Sequence, residues 1–267
     1  MTSTSERSWG GMTGGWNRLG PPLRPTDEVV DDMFSMIHLD GPILLLGVTP
    51  ELHGQWDDLT AVDRDQAMID AVWPGDGHGQ RALCMDWMQM SWPHNLYAGI
   101  VCDGGLGLLG DMNDMRELQA RCLQWLKPYG TVVHRVFCRT PMGHMTNWEQ
   151  IQAVLRGDKV MNFHAFKMLC NFVFAEQQGS SAVRFSDVPD WFDHVFPDRD
   201  LLSAATGWSR DAIDTIDLYR KSQISTMFCT RDEWLSTVPR GAHDMHFVAP
   251  DLGYDLWQQC PLLSWSK

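Results

Sequence analysis

The sequence alternates short apolar runs with amphipathic segments, and this alternation limits the folds that the chain can adopt. Strand-like runs occupy residues 43–48, 59–63, 81–86, 97–104 and 131–138. The first, ILLLGV, has no polar side chain, which is typical of a strand buried on both faces. Amphipathic patterns separate several runs, most clearly DMNDMRELQARCLQWLK at 111–127. Strands that alternate with helices favour an α/β fold whose mostly parallel sheet carries helices on both faces.

The charge balance and the cysteines narrow the classes of function. Acids outnumber bases 34 to 21, and a net charge of −13 disfavours nucleic acid or an anionic membrane as the main partner. The seven cysteines are odd in number, mostly lie in apolar runs and lack zinc-site spacing, so we expect free thiols and no metal. No apolar run has the length of a membrane span and the start lacks a signal peptide, which predicts a cytoplasmic protein.

Three predicted strands end in aspartate. Asp63 ends the second strand, Asp86 ends the third and is followed by Trp87, and Asp103 ends the fourth. The carboxyl ends of parallel strands share one edge of the sheet, where open α/β folds bind their ligands. An acid at the end of the second strand suits ribose hydroxyls, and an acid beside an indole suits an adenine. With Gly47 in the turn after the first strand, the pattern predicts a site for an adenosine-containing cofactor.

The series ILLLGVTPEL, LTAVDRDQAMI, ALCMDW, YAGIVCDGGLGLL and CLQWLKPYGTVVHRVF resembles the class I S-adenosylmethionine-dependent methyltransferases over about residues 41–139. The first loop departs from the usual family pattern, since Leu45 stands where an acid is common and Thr49 and Glu51 where glycines are common. It is similar to a small-molecule subgroup with a GVTPE-type loop. The resemblance implies a Rossmann-like, mostly parallel seven-stranded sheet and adenosylmethionine as the cofactor.

The resemblance also implies roles for individual residues. Gly47, Val48 and Thr49 would line the cofactor, and Asp63 would hold the ribose. The adenine would meet Arg64, Met68, Asp86 and Trp87. Asp103 and Gly104 would lie near the methionine end and face the substrate. We therefore predict methyl transfer to a small-molecule acceptor, without assigning the acceptor atom or the oligomeric state.

The segments before and after residues 41–139 are predicted to form the substrate side of the site. We predict a single domain over 1–267, with an N-terminal lid and helix at 1–40, a cofactor-binding core at 41–139, and substrate-side helices and last strands at 140–267. Trp16, Arg24 and Arg135 are predicted to bind the substrate, an anionic or aromatic small molecule, because a guanidinium pairs with carboxylates and an indole stacks on rings. Asp103 and Arg135 are the candidate catalytic residues. A structural acid is the alternative partner for Arg135.

Two other functions remain open at this stage. GLGLLG at 105–110 matches the G-x-G-x-x-G pattern of dinucleotide sites and stands between a strand and a helix. An NADP-dependent oxidoreductase would use it, with Arg139 for the 2′-phosphate. The other alternative is a non-catalytic binding domain with the same fold. Isolated histidines are further possible bases, namely His38, His134, His144, His164 and His246.

Overall fold

A computed structural model describes residues 15–141 and 143–267. Its central sheet has seven strands in the order β3-β2-β1-β4-β5-β9-β8. The strands are β1 (Ile43–Leu46), β2 (Leu59–Asp63), β3 (Gln80–Cys84), β4 (Tyr97–Asp103), β5 (Leu126–Arg135), β8 (His243–Val248) and β9 (Leu262–Ser266). The first five strands are parallel, and β9 is antiparallel to both β5 and β8. The predicted α/β class and mostly parallel seven-stranded sheet are confirmed.

Helices of two groups surround and extend this sheet. Those within or before the parallel part are α1 (Asp27–Ser35), α2 (Gln66–Val72) and α3 (Met112–Trp125). Those after β5 are α4 (Asn147–Leu155), α5 (Phe163–Gln178), α6 (Val188–Val195), α7 (Arg199–Thr206), α8 (Arg210–Ile213) and α9 (Arg231–Leu235). The predicted helical elaboration after the fifth strand is therefore present.

The sheet is covered on both faces, as the unbroken apolar run of β1 requires. Leu44 and Leu46 of β1 contact the face on which α3 lies, together with Met115 and Leu118 of that helix. Alternate β1 residues point to the other face, where α1 and α2 lie. All four residues of β1 are buried, so the strand contributes to both halves of the core.

The segment LKPYG at 126–130 forms an irregular entry to β5. Tyr97 of β4 pairs with Leu126, whereas Gly99 pairs with Thr131, so residues 127–130 bulge out of the ladder. Tyr129 has a positive φ of 67° within this bulge. The pairing is regular from Thr131 onward, which brings the last residues of β4 and β5 side by side.

The helices after β5 build a second aromatic core, which we call the cap and define as residues 147–228. It includes a hairpin of β6 (Ala182–Arg184) and β7 (Ser225–Met227), which the sequence patterns did not predict. β7 lies against the turn that follows β4, where a Cβ atom on Gly107 would come within 2.7 Å of the Met227 carbonyl oxygen. This close contact fixes the cap over the carboxyl edge of the sheet.

All seven cysteines fall within the described residues and are free thiols there, with six of them buried and Cys84 exposed. None of the helices that the structure describes is long and apolar enough to cross a membrane. Residues 1–14 of the predicted lid lie outside the described residues, and the division of the chain into three parts stays a prediction.

Candidate active site

A cleft of about 910 Å³, its open mouth included, lies at the carboxyl edge of the parallel strands. The ends of β1, β2 and β4 form its floor through Leu46, Asp63 and Asp103. The turns after β1 and β4 complete this floor with Gly47, Val48, Thr49, Gly104 and Gly105. The cleft therefore opens at the predicted ligand edge of the sheet.

The turn after β1 is shaped to leave space above it. Gly47 has a φ of 106°, which favours glycine, and its N–H donates to the Val62 carbonyl at 2.8 Å. A Cβ atom at Gly47 would meet no other atom within 4 Å, so it would project into open space. Val48 and Thr49 are buried beside it, and Pro50–Leu52 follow as one turn of 3-10 helix.

Asp63 lies between two cavities with its carboxylate nearly enclosed. Burial raises the pKa of this carboxyl to about 6, even though its Oδ1 accepts a hydrogen bond from the Asp65 N–H at 2.9 Å. A buried carboxylate of raised pKa gains from hydroxyl donors, because they replace the hydration that burial has removed. Met68 of α2 lines the same part of the cleft.

A second cavity of about 390 Å³ adjoins the cleft and shares Asp63 and Trp87 with it. The indole Nε1 of Trp87 donates to the Val62 carbonyl at 2.7 Å, which fixes the ring across the end of β2. Asp86 and Arg64 also line this cavity. The Oδ1 atom of Asp86 accepts from the Met88 N–H at 2.8 Å, so this residue also caps the turn that follows it.

Asp103 and Arg135 form an ion pair at the floor of the cleft. Their side chains are 4% and 1% exposed, and the guanidinium contacts both carboxylate oxygens, through Nε to Oδ1 and through Nη2 to Oδ2 at 3.1 Å. Nη1 donates to the Pro22 carbonyl at 2.8 Å. Burial lowers the pKa of the Arg135 guanidinium, but the charge and hydrogen bonds of the adjacent Asp103 raise it by more, so the net shift is upward.

This geometry corrects the predicted role of Arg135 as a direct ligand of substrate. Its bidentate partner is Asp103, the structural acid that the sequence left as the alternative, and Arg135 does not line the cleft, whereas Asp103 does. Arg135 therefore contacts Asp103 instead of a bound molecule and fixes the orientation of that carboxylate. Each Asp103 oxygen keeps a further lone pair that can meet a ligand.

Residues 15–25, which we call the N-terminal strap, form one side of the cleft. Trp16, Leu19 and Leu23 line it. Arg24, predicted to bind substrate, instead donates to Glu51 Oε1 at 2.6 Å and lies 5.6 Å from the centre of the Trp16 ring. Arg24 thus joins the strap to the turn after β1. Of the two strap residues predicted to bind substrate, Trp16 lines the cleft and Arg24 does not.

The helices after β5 were predicted to lie on the substrate side, but the residues that form the opposite wall were not predicted individually. This wall comes from Phe137 after β5 and from cap residues that include Asn171, Phe185, Tyr219 and Phe228. Two buried polar atoms of the cleft lining, Trp16 Nε1 and Asn171 Oδ1, have no hydrogen-bond partner among the described residues. The aromatic segment NFHAFKMLCNFVF of α5 is the sequence signal for a substrate lid here, but such apolar spacing is more often typical of core.

GLGLLG does not form a phosphate-binding turn. Leu106–Leu109 are a 3-10 turn, and Gly107 is buried against β7. The helix α3 begins only at Met112, and the carboxylate of Asp111 already accepts from its first N–H groups, at Asn113 and Asp114. A phosphate at that helix end would meet a carboxylate instead of free N–H donors.

The cations and histidines proposed from the sequence lie elsewhere. Arg139 donates to Ser181 Oγ at 3.2 Å and pairs with Glu233, outside the cleft lining. No lysine, arginine or histidine is among the described residues that line the cleft. Burial lowers the pKa of His134 to about 3, and its Nε2 contacts Gln119, so this histidine is a neutral core residue. No described group of three or more His, Cys, Asp or Glu side chains could hold a metal ion.

No protein-family model and no curated protein sequence matches this chain. Among solved structures, the chain is similar to an S-adenosylmethionine-dependent methyltransferase from Mesorhizobium loti, with 13% identity, a TM-score of 0.50, and coverage of 92% of this chain and 100% of that one. It is also similar to a protein from Rhodobacter sphaeroides provisionally named a Zn-dependent alcohol dehydrogenase, with 13% identity, a TM-score of 0.52, and coverage of 97% and 98%. The N-methyltransferase NodS from Bradyrhizobium japonicum WM9, in complex with S-adenosyl-L-homocysteine, matches with 13% identity, a TM-score of 0.46, and coverage of 94% and 91%.

The first two similarities establish the fold. A dinucleotide-binding Rossmann sheet has the order 3-2-1-4-5-6, whereas here the last strand, β9, is inserted antiparallel between β5 and β8. This arrangement is the Rossmann-like fold of the methyltransferases. At 13% identity the activity must be argued from the cleft itself.

Proposed function

We propose that this protein is an S-adenosylmethionine-dependent methyltransferase that acts on a small molecule. The observation that carries the proposal is the charge of the cleft. Two buried carboxylates, Asp63 and Asp103, line it, and no cationic side chain of the described residues does. Such a site favours a sulfonium cation and disfavours the pyrophosphate of a dinucleotide.

The residues of the cleft fit each part of this cofactor. The second cavity, with the fixed Trp87 indole and the Asp86 carboxylate, suits the adenine. Asp63, where the two cavities meet, would accept hydrogen bonds from the ribose hydroxyls. The open space above Gly47 would take the part of the cofactor that runs toward Asp103.

When bound, adenosylmethionine would supply an electrophilic methyl group on its sulfonium sulfur. The chain's own contribution is to hold the cofactor and the acceptor in contact and to exclude water. Asp103 would favour the positive charge of the cofactor, and Arg135 would hold that carboxylate in place. The strap and the cap would enclose the acceptor from opposite sides.

The proposal is tested by calorimetric titration with S-adenosylhomocysteine. We expect one site per chain in the unchanged protein and at least a tenfold loss of affinity in Asp63→Ala. The matched control is Asp70→Ala, which removes the same charge from the exposed face of α2 and should bind like the unchanged protein. Equal affinity in all three proteins, or no binding in any, would refute the cofactor assignment.

A further inference from the structure

The wall that the cap contributes to the cleft is aromatic. Phe185 and Tyr219 stack there with ring centres 4.6 Å apart and an angle of 8° between the rings. Phe228 of the cap lines the cleft with them, and Phe137 lines it beside Gly104, where a Cβ atom would come within 2.9 Å of its ring. Flat apolar walls favour a flat apolar ligand, because stacking adds to the free energy gained by burying its surface.

One polar atom in this wall lacks a partner. Asn171 of α5 is 1% exposed, and its Nδ2 donates to the Lys167 carbonyl at 2.7 Å. Exchanging the nitrogen and oxygen of the amide would set Oδ1 against that carbonyl, so the hydrogen bond fixes Oδ1 as the atom left free. Oδ1 is buried without a partner among the described residues, and Asn171 lines the cleft. A buried acceptor without a donor is destabilising, because its hydration is lost without replacement, and a ligand N–H or O–H would supply the missing hydrogen bond.

The charges around this wall indicate that such a ligand is neutral. The described lining contains no lysine, arginine or histidine to pair with an anion. The two carboxylates that line the cleft, Asp63 and Asp103, lie at the ends of β2 and β4, in the part that the proposed cofactor would occupy, so neither is left to pair with a cationic acceptor. Lys167, on the same helix as Asn171, is buried and engaged by Thr215 Oγ1 at 3.2 Å.

We infer that Asn171 is a specificity residue that binds the methyl acceptor, and that the acceptor is a neutral, planar aromatic molecule whose N–H or O–H donates to Asn171 Oδ1. The inference rests on the proposed function, because it assumes that the cofactor occupies the part of the cleft at the ends of β1, β2 and β4. Of the two kinds of acceptor expected from the sequence, anionic or aromatic, it selects the aromatic one.

The test uses two probes of the same shape that differ in one donor. Indole carries an N–H, whereas benzofuran carries a ring oxygen in its place and cannot donate. Each is titrated against the protein saturated with S-adenosylhomocysteine, and binding is followed by ligand-observed NMR. We expect indole to bind the unchanged protein about fivefold to tenfold more tightly than benzofuran, and Asn171→Leu to remove this preference. Gln178→Leu, an amide-to-leucine change at an exposed position of α5, should keep it.

The outcomes separate this inference from the proposed function. If S-adenosylhomocysteine does not bind, the proposed function fails. If it binds but indole and benzofuran bind equally, or neither binds, the role of Asn171 is refuted. This comparison is made on the unchanged protein, so it stands even where Asn171→Leu does not fold. A preference for indole that persists in Asn171→Leu would also refute the assignment.

Discussion

Arg135 holds both carboxylate oxygens of Asp103 from the neighbouring strand, because the two residues are register partners at the ends of β4 and β5. Removing one partner of a buried ion pair leaves an uncompensated charge, which typically costs about 3–5 kcal/mol. We expect Arg135→Met to lower the free energy of unfolding by about that amount in urea denaturation. The double variant Asp103→Leu/Arg135→Met should lose much less, since neither charge remains. A decrease in the free energy of unfolding of less than about 1 kcal/mol in Arg135→Met would show that Asp103 does not need Arg135 to remain buried as a charge.

Because the pKa of Asp63 is raised in the folded protein, we expect the free energy of unfolding to fall as the pH rises and this carboxyl ionises. The folded protein holds this proton more tightly than the unfolded chain, whose carboxyl has the ordinary value of 3.8, whereas burial raises the folded pKa to about 6. Ionisation therefore destabilises the fold as the pH rises from about 4 to about 6, by at most about 3 kcal/mol. We expect Asp63→Asn to be more stable than the unchanged protein at pH 7.5 and nearly equal at pH 4. Urea denaturation at the two pH values measures this, and a stability difference independent of pH would contradict it.

Gly47 and Gly54 offer a matched pair for testing the turn after β1. Both have positive φ, 106° and 82°, and a Cβ atom at either would meet nothing within 4 Å. Alanine at either position should cost about 1–2 kcal/mol of stability through backbone strain. Only Gly47 lines the cleft, so only Gly47→Ala should also weaken binding of S-adenosylhomocysteine. Equal cofactor affinity in the two variants would show that the space above Gly47 is not used.

The contact between the strap and the turn after β1 should contribute measurably to stability. Arg24 and Glu51 are 26% and 16% exposed, and Glu51 Oε2 is buried without a partner among the described residues. We expect Arg24→Met to lower the free energy of unfolding by about 1 kcal/mol. The control is Arg156→Met, whose partner Asp158 is 61% exposed, and which should change little. Equal effects of the two changes would mean that the strap is not held by this pair.

The sequence predicted the core of the fold because local patterns determine it. The apolar run of β1, the bounds of β2 and the helix at α3 all follow from periodicity and capping residues. The hairpin of β6 and β7 was missed, since its strands have three residues each and are about 40 residues apart. The antiparallel insertion of β9 is likewise set by tertiary packing, which no local pattern records.

The candidate site divides in the same way. Strand-end residues such as Asp63 and Asp103 could be predicted, because parallel strands bring their carboxyl ends to one edge. The partners of Arg24 and Arg135 could not, since a guanidinium in an apolar context indicates only that some acid or ligand is near. Asn171 had no sequence signal, because what distinguishes it is an unpaired atom in the folded chain.

The most direct test of the whole account compares two cofactors on the unchanged protein. The fold is shared by solved structures with different assigned chemistry, so it does not by itself choose between adenosylmethionine and a nicotinamide dinucleotide. Calorimetry with S-adenosylhomocysteine and with NADPH distinguishes the two cofactors, because the acidic cleft and the capped N-terminus of α3 disfavour the phosphates of NADPH. The account predicts binding of S-adenosylhomocysteine at one site per chain and no detectable binding of NADPH. Binding of NADPH without binding of S-adenosylhomocysteine would contradict it.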